Sequence, residues 1–198
     1  MIFLDNKLCF IHIPKTAGTF LRDFFKTKLS MILECWNCMN GYDYAHLPMS
    51  KLHMVFSESF LQGYKYFTVI RNPYDRFISA FFYMQREGYA IVKNRNINQF
   101  IQHDLQNISM NFDTFNKEFI HIIPQYKFIC NDAGNIDERV FIIPYHKLNE
   151  GLFKLFHMTV PFRYKGYAVK QILSPESIRI IDEIYAKDLE MYGMMGKN

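Results

Sequence analysis

Short apolar runs alternate with amphipathic stretches from the start of the chain. Leu8 to Ile13 is an apolar run rich in Ile and Phe, ended by Pro14; a small-residue turn then leads into TFLRDFFKTKL, whose apolar positions recur at helical spacing. This pattern predicts strand, loop and helix in that order. A second such unit begins with the buried-strand pattern Tyr66 to Ile70. Asn72 then stands where an N-cap is expected and Pro73 at the first helical position, the helix running from about Pro73 to Tyr83. Lys127 to Cys130 and Val140 to Ile143 flank the turn Asn131-Asp132-Ala133-Gly134-Asn135 and read as two strands, paired as a hairpin or joined in one sheet. Ser174 caps a last helix, with Pro175 at its first position and Gly193 at its stop; Ile178, Ile181, Tyr185, Leu189 and Tyr192 share one face. Strands alternating with helices predict an α/β fold layered around a mainly parallel sheet.

No repeat, low-complexity tract or Pro/Gly/Ser linker divides the 198 residues, of which 49% are hydrophobic, so a single domain over residues 1–198 is expected. The balance of 23 Lys+Arg against 19 Asp+Glu gives +4, without the run of like charge that a nucleic-acid partner requires. That balance fits a local anion site. MIFLDNK brings Asp5 and Lys7 too early for a signal peptide, and no stretch approaches the ~18 to 20 apolar residues of a transmembrane segment. A soluble, cytoplasmic chain with reduced cysteines is the expectation. Cys35-Trp36-Asn37-Cys38 has the spacing of a zinc knuckle or redox pair, with His46 and His53 nearby, but a second CxxC is missing and no metal is expected. The 20 Phe and 13 Tyr fall mostly at core spacing.

Two segments carry the candidate chemistry. His12-Ile13-Pro14-Lys15-Thr16-Ala17-Gly18-Thr19 joins a strand to a helix, where small residues let backbone N–H groups converge on an anion. Lys15 adds a point charge, and Thr16 and Thr19 add hydroxyls. The lysine precedes the glycine, so the spacing is not that of an NTPase phosphate loop. Arg71-Asn72-Pro73-Tyr74-Asp75-Arg76-Phe77-Ile78-Ser79 follows the second strand, placing Arg71 at a carboxyl end, where ligands bind in open α/β sheets. Arg76, Ser79 and Tyr83 share a helix face, with Phe77, Ile78, Phe81 and Phe82 on the buried side. Arg71 and Ser79 together could hold a second phosphate. In the alternative, Arg76 pairs with Asp75 or Glu87 on the surface and Ser79 is a packing residue.

Together, HIPKTAGT and VIRNPYDRFISAFFY resemble the sulfotransferases that use 3′-phosphoadenosine 5′-phosphosulfate (PAPS), in particular the carbohydrate-type branch that includes heparan sulfate 2-O-sulfotransferase. PQYKFIC, NDAGNID and SPESIRIIDEIYAKDLEMYG extend the similarity over most of the chain. The resemblance implies a P-loop-like three-layer fold and transfer of a sulfuryl group from PAPS, without metal, to a hydroxyl acceptor such as a glycan or small molecule. It implies that Lys15, Thr16, Ala17, Gly18 and Thr19 grip the 5′-phosphosulfate, that Arg71 and Ser79 grip the 3′-phosphate, and that a basic loop around Arg163 to Lys170 closes the nucleotide site. Transfer to a hydroxyl needs a base and positive charge on the departing oxygen. Lys15 suits the second role. His46, between the two anion segments, is the foremost candidate base, although Ala45 stands where the family commonly has Gly; His53 and Glu58 are alternatives. Gln125 faces the acceptor or forms a structural turn. A nucleotide-dependent phosphotransferase and a non-catalytic nucleotide-binding module are the competing readings.

Overall fold

The computed structural model describes residues 1–35, 38–39, 42–110, 119–131 and 133–195. In chain order its strands are β1 (Ile2–Leu4), β2 (Leu8–Ile11), β3 (Met31–Glu34), β4 (Cys38–Met39), β5 (Tyr42–Asp43), β6 (Lys65–Ile70) and β7 (Val140–Pro144). Its α-helices are α1 (Gly18–Lys28), α2 (Leu52–Val55), α3 (Glu58–Leu61), α4 (Pro73–Arg86), α5 (Ile97–Gln99), α6 (Tyr126–Ile129), α7 (Leu148–Phe156), α8 (Val169–Ile172), α9 (Pro175–Ile184) and α10 (Ala186–Met195). Two compact units result, one of Met1–Ile70 with Gln125–Pro161 and one of Arg71–Pro124 with Phe162–Asn198. Among the described residues no helix is long and apolar enough to cross a membrane.

The first unit is built on a five-stranded sheet in the order β3-β1-β2-β6-β7. The pairs β2–β6 and β6–β7 are parallel, whereas β1 runs antiparallel to both of its neighbours. Phe10 and Phe67 point to one face, where Phe25 of α1 lies 5.8 Å from Phe10 and Phe156 of α7 lies 5.7 Å from Phe67. Phe3 points to the other face, packing edge-on against Phe56, Phe60 and Tyr64 at 4.9 to 5.1 Å. Each buried ring contributes roughly 1.5–3 kcal/mol. The sheet is thus covered on both faces, as the α/β reading of the sequence expects.

One predicted strand is a helix. Residues 127–129 lie in α6, with Phe128 and Ile129 both fully buried; in a sheet covered on both faces a strand such as β2 buries neighbouring residues as well, so a short apolar run of this kind reads as either element. Of the expected hairpin only an isolated bridge between Cys130 and Ile136 remains. Asn131 closes that turn, its Oδ1 accepting from the N–H groups of Ala133 and Asn135; Asp132 lies outside the described residues. β7 pairs with β6 instead.

In the second unit, Asn72 Oδ1 accepts from the N–H groups of Tyr74 and Asp75 with Pro73 at the first position, as expected, and α4 continues past Tyr83 to Arg86. Phe77, Phe81 and Met84 pack with Phe100, Ile122 and Ile181. Phe82, expected on that side, lies beyond this stripe and is 44% exposed. The last helix breaks at Tyr185 (φ −107°, ψ 23°), whose buried hydroxyl donates to the Ile122 carbonyl, and Gly193 falls inside α10 rather than at a stop. Ser177, Ile180, Ile181, Asp188 and Met191 form the buried face, leaving Ile178, Leu189 and Tyr192 at its flanks.

In the first unit α7 approaches β7 so closely that a Cβ on Gly151 would lie 2.4 Å from Ile143 Cγ2. Gly151→Ala should therefore lower stability by about 1–3 kcal/mol through overpacking, outweighing the ~0.5–1 kcal/mol that Ala gains over Gly in a helix. Urea unfolding measures it; an equal or higher midpoint with an unchanged slope rules out this close contact.

Candidate functional site

The turn between β2 and α1 is the most strained backbone in the first unit. Lys15 (φ 69°) and Ala17 (φ 73°) both occupy the left-handed region without being glycine, and Thr16 between them does not. Alternation of this kind turns successive N–H groups toward one side, the geometry of an anion-binding nest, and it opens onto the first turn of α1, which carries no acidic residue. Each left-handed residue costs of order 1–3 kcal/mol. A buried hydrogen bond of 2.8 Å from Thr16 Oγ1 to the Ile13 carbonyl helps to offset this cost. That bond uses the proton of the Thr16 hydroxyl within the loop itself. Lys15 and Ala17 are half-buried, Gly18 is buried and Thr19 is exposed.

His12, which sequence reasoning did not single out, supports this loop. Its buried imidazole lies against the first turn of α1, so that a Cβ on Gly18 would stand 1.6 Å from His12 Nε2. The ring also packs on His46, with centroids 4.2 Å apart. His46 is buried at the end of a single turn, Tyr44–His46, and its Nδ1 lies 2.9 Å from the His12 carbonyl oxygen. A carbonyl only accepts, so Nδ1 carries a proton in this contact. The same turn is tied to the start of the chain, where the Met1 amino group donates to the Ala45 carbonyl at 2.6 Å. The structure thus brings His46 to the segment that precedes Lys15.

His53 and Glu58 lie elsewhere. Both line a cavity with Tyr64, Tyr66 and Arg139, residues at the amino-terminal ends of β6 and β7. The loop after β2 leaves from the opposite end, since Leu8 pairs with Lys65 and Ile11 with Thr68. Three residues of strand separate those ends by roughly 10 Å. Gln125 is fully buried just before α6.

In the second unit Arg71 is buried, its Nη2 donating to the Lys165 carbonyl at 2.7 Å and its guanidinium lying 5.5 Å from the centre of the Tyr167 ring. Asp75, weighed from sequence only as a surface partner of Arg76, is buried and holds the same irregular segment: Tyr164 Oη donates to Oδ2 at 2.8 Å and the Tyr167 N–H to Oδ1 at 2.9 Å. Partial burial and the bond to Asp75 push the Tyr164 phenol up to about 12. The basic loop expected at Arg163 to Lys170 is therefore fastened to Arg71 and to the first turn of α4. Ser79 is half-buried one turn further along. Arg76 contradicts both sequence readings. It is 1% exposed, donates through Nη2 to the His121 carbonyl at 3.2 Å, and faces the negative charge of the fully buried Asp188. Burial pushes its guanidinium down and Asp188 opposes this, so the charge belongs to the interior of the unit.

Among the described residues no three His, Cys, Asp or Glu side chains gather as a metal-binding set. Trp36 and Asn37 of the CxxC segment lie outside the described residues. A family model described as Sulfotransferase family matches residues 1–194. No curated protein and no solved structure matches the chain.

Gly18→Ala should displace His12 and with it the loop, costing about 1–3 kcal/mol of stability. Urea unfolding checks this; a wild-type midpoint with an unchanged slope would show that the loop does not depend on the contact.

Proposed function

The chain belongs to the sulfotransferase family, and on that premise we propose that it moves a sulfuryl group from PAPS to a hydroxyl acceptor of carbohydrate type, acting as one domain over residues 1–198. The observation that carries the donor assignment is the left-handed alternation at Lys15 and Ala17 ahead of α1. Such a loop has N–H groups to offer an anion and a cation beside them, which fits the 5′-phosphosulfate. PAPS supplies an activated sulfuryl group whose leaving group is a phosphate. In this reading Lys15 offsets the charge that develops on the departing oxygen, and the N–H groups of Thr16 to Thr19 hold the phosphosulfate in line. No metal takes part.

Arg71 and Ser79 receive the 3′-phosphate. Arg71 follows directly on Ile70, the last residue of β6, and a guanidinium suits bidentate contact with a phosphate. The segment from Arg163 to Lys170 closes over the nucleotide. His46 takes the acceptor proton, its ring oriented by the contact of Nδ1 with the His12 carbonyl. The carbohydrate assignment rests on the resemblance of the two anion segments to that branch of the family.

Without added metal, 3′,5′-adenosine bisphosphate should stabilise the protein by about 2.7 kcal/mol at a hundred times its Kd, and ATP with magnesium by much less. Arg71→Ala should lose most of that stabilisation, whereas Lys15→Ala should keep much of it and lose transfer. A thermal-shift series with EDTA present decides; the reverse ranking of the nucleotides replaces this reading with a phosphotransferase.

His46→Ala should fold, bind the bisphosphate nucleotide almost as the wild type does, and lose about 10² to 10⁴ in transfer rate. Rates with saturating PAPS on a panel of glycan acceptors test this. Near-wild-type turnover moves the base role to another residue.

A further inference from the structure

The cavity at the amino-terminal ends of β6 and β7 has a volume of about 730 Å³ and is not used by the transfer reading. That volume lies within the roughly 300–1,000 Å³ of small-molecule sites. Its charged lining is largely satisfied from within. Asp137 is clamped by Arg139, Nε donating to Oδ1 at 2.9 Å and Nη2 to Oδ2 at 2.7 Å, and this pairing holds the Asp137 carboxyl below the usual carboxylate range. The clamped guanidinium lies over the Tyr66 ring at 5.4 Å, which fixes its plane. Glu58 adds a second carboxylate to the lining, so an anionic ligand would meet two negative groups and one positive group already engaged. A purely apolar ligand would cover these polar groups without partners. A flat heteroaromatic ring would find its stacking surfaces taken, because Arg139 covers Tyr66 and both Lys7 and Phe60 lie against Tyr64.

What the lining does offer is a spread of donors and acceptors over a small apolar floor. Glu58 accepts, and Arg139 retains guanidinium N–H groups beyond the two given to Asp137. Asn131 spends its carbonyl oxygen on its own turn, so its amide N–H groups are the part it can present. His53 serves in either role, and Met49 and Leu52 supply apolar surface. Alternating hydroxyls on a puckered ring with one apolar face satisfy such a lining. We propose that this cavity is a binding site for an uncharged saccharide, remote from the β2–α1 loop and independent of the transfer reading.

The test is saturation-transfer NMR on the full chain with lactose, maltose and N-acetylglucosamine, against adenosine and glucuronate as counter-probes, each at about 10 mM, above the millimolar Kd expected of a shallow site. At least one uncharged sugar should show transfer, reduced fivefold or more in His53→Ala/Glu58→Ala. Both residues are exposed, so this double variant should keep the wild-type melting temperature. No transfer from any of the three sugars, transfer undiminished in the double variant, or a stronger response from adenosine or glucuronate overturns the proposal. Response to 3′,5′-adenosine bisphosphate, measured on the same samples, reports separately on the donor loop.

Discussion

Gly18 carries a hydrogen where any other residue would carry a Cβ, and the His12 imidazole occupies that place. The end of β2, the start of α1 and the ring of His46 all bear on this one contact. With His12 seated, the backbone between it and Gly18 has to turn sharply, which it does by adopting left-handed conformations at Lys15 and Ala17. The same seating presents the His12 carbonyl to His46 Nδ1 and so orients a second imidazole. The left-handed loop and the orientation of the His46 ring are thereby consequences of one packing constraint.

The cluster of charges in RNPYDR divides among different tasks. Arg71 and Asp75 both hold the same irregular segment, by backbone and phenol contacts, so opposite charges act on one loop. Arg76 turns inward. Taking a guanidinium out of water costs several kcal/mol unless partners are arranged for it, and the His121 carbonyl with the Asp188 carboxylate supplies them. Its immediate neighbour Asp75 holds the loop while Arg76 is part of the core.

Where local chemistry and fold agree, the sequence was readable. Asn72 with Pro73, and Ser174 with Pro175, start their helices where the capping rule puts them. The β2–loop–α1 unit could be read because a β-rich run, a turn and a helical period follow one another without conflict. Residues 127–129 could not, since a short apolar run fits strand and buried helix equally, and β6 rather than this segment supplies the pairing partner of β7. Arg76 was opaque for a similar reason, its partners His121 and Asp188 being far along the chain. The two carboxylate-and-imidazole alternatives to His46 had plausible chemistry, and their distance from the loop depends on strand register, which composition does not encode. His12 gave no sign in sequence beyond its position, because the meaning of Gly18 lies in a contact across the turn.

The sheet also dictates an order of assembly. β1 and β2 meet across the short turn at Asp5 to Lys7, so that hairpin is available as soon as the first residues are free. The parallel joint between β2 and β6 requires a bond such as Thr68 Oγ1 to the Ile11 carbonyl to form across 57 residues, and the joint that sets Tyr66 opposite Val140 encloses the whole of residues 71–124. Such non-local pairings form slowly, because loop closure precedes any gain from packing. A nascent chain therefore holds one side of β2 open until β6 has been made, and β6 in turn waits for β7. During that interval the strand edge bearing Phe10 and Ile11 is an aggregation hazard, and expression yield should respond to temperature and chaperone supply more than the stability of the finished fold suggests.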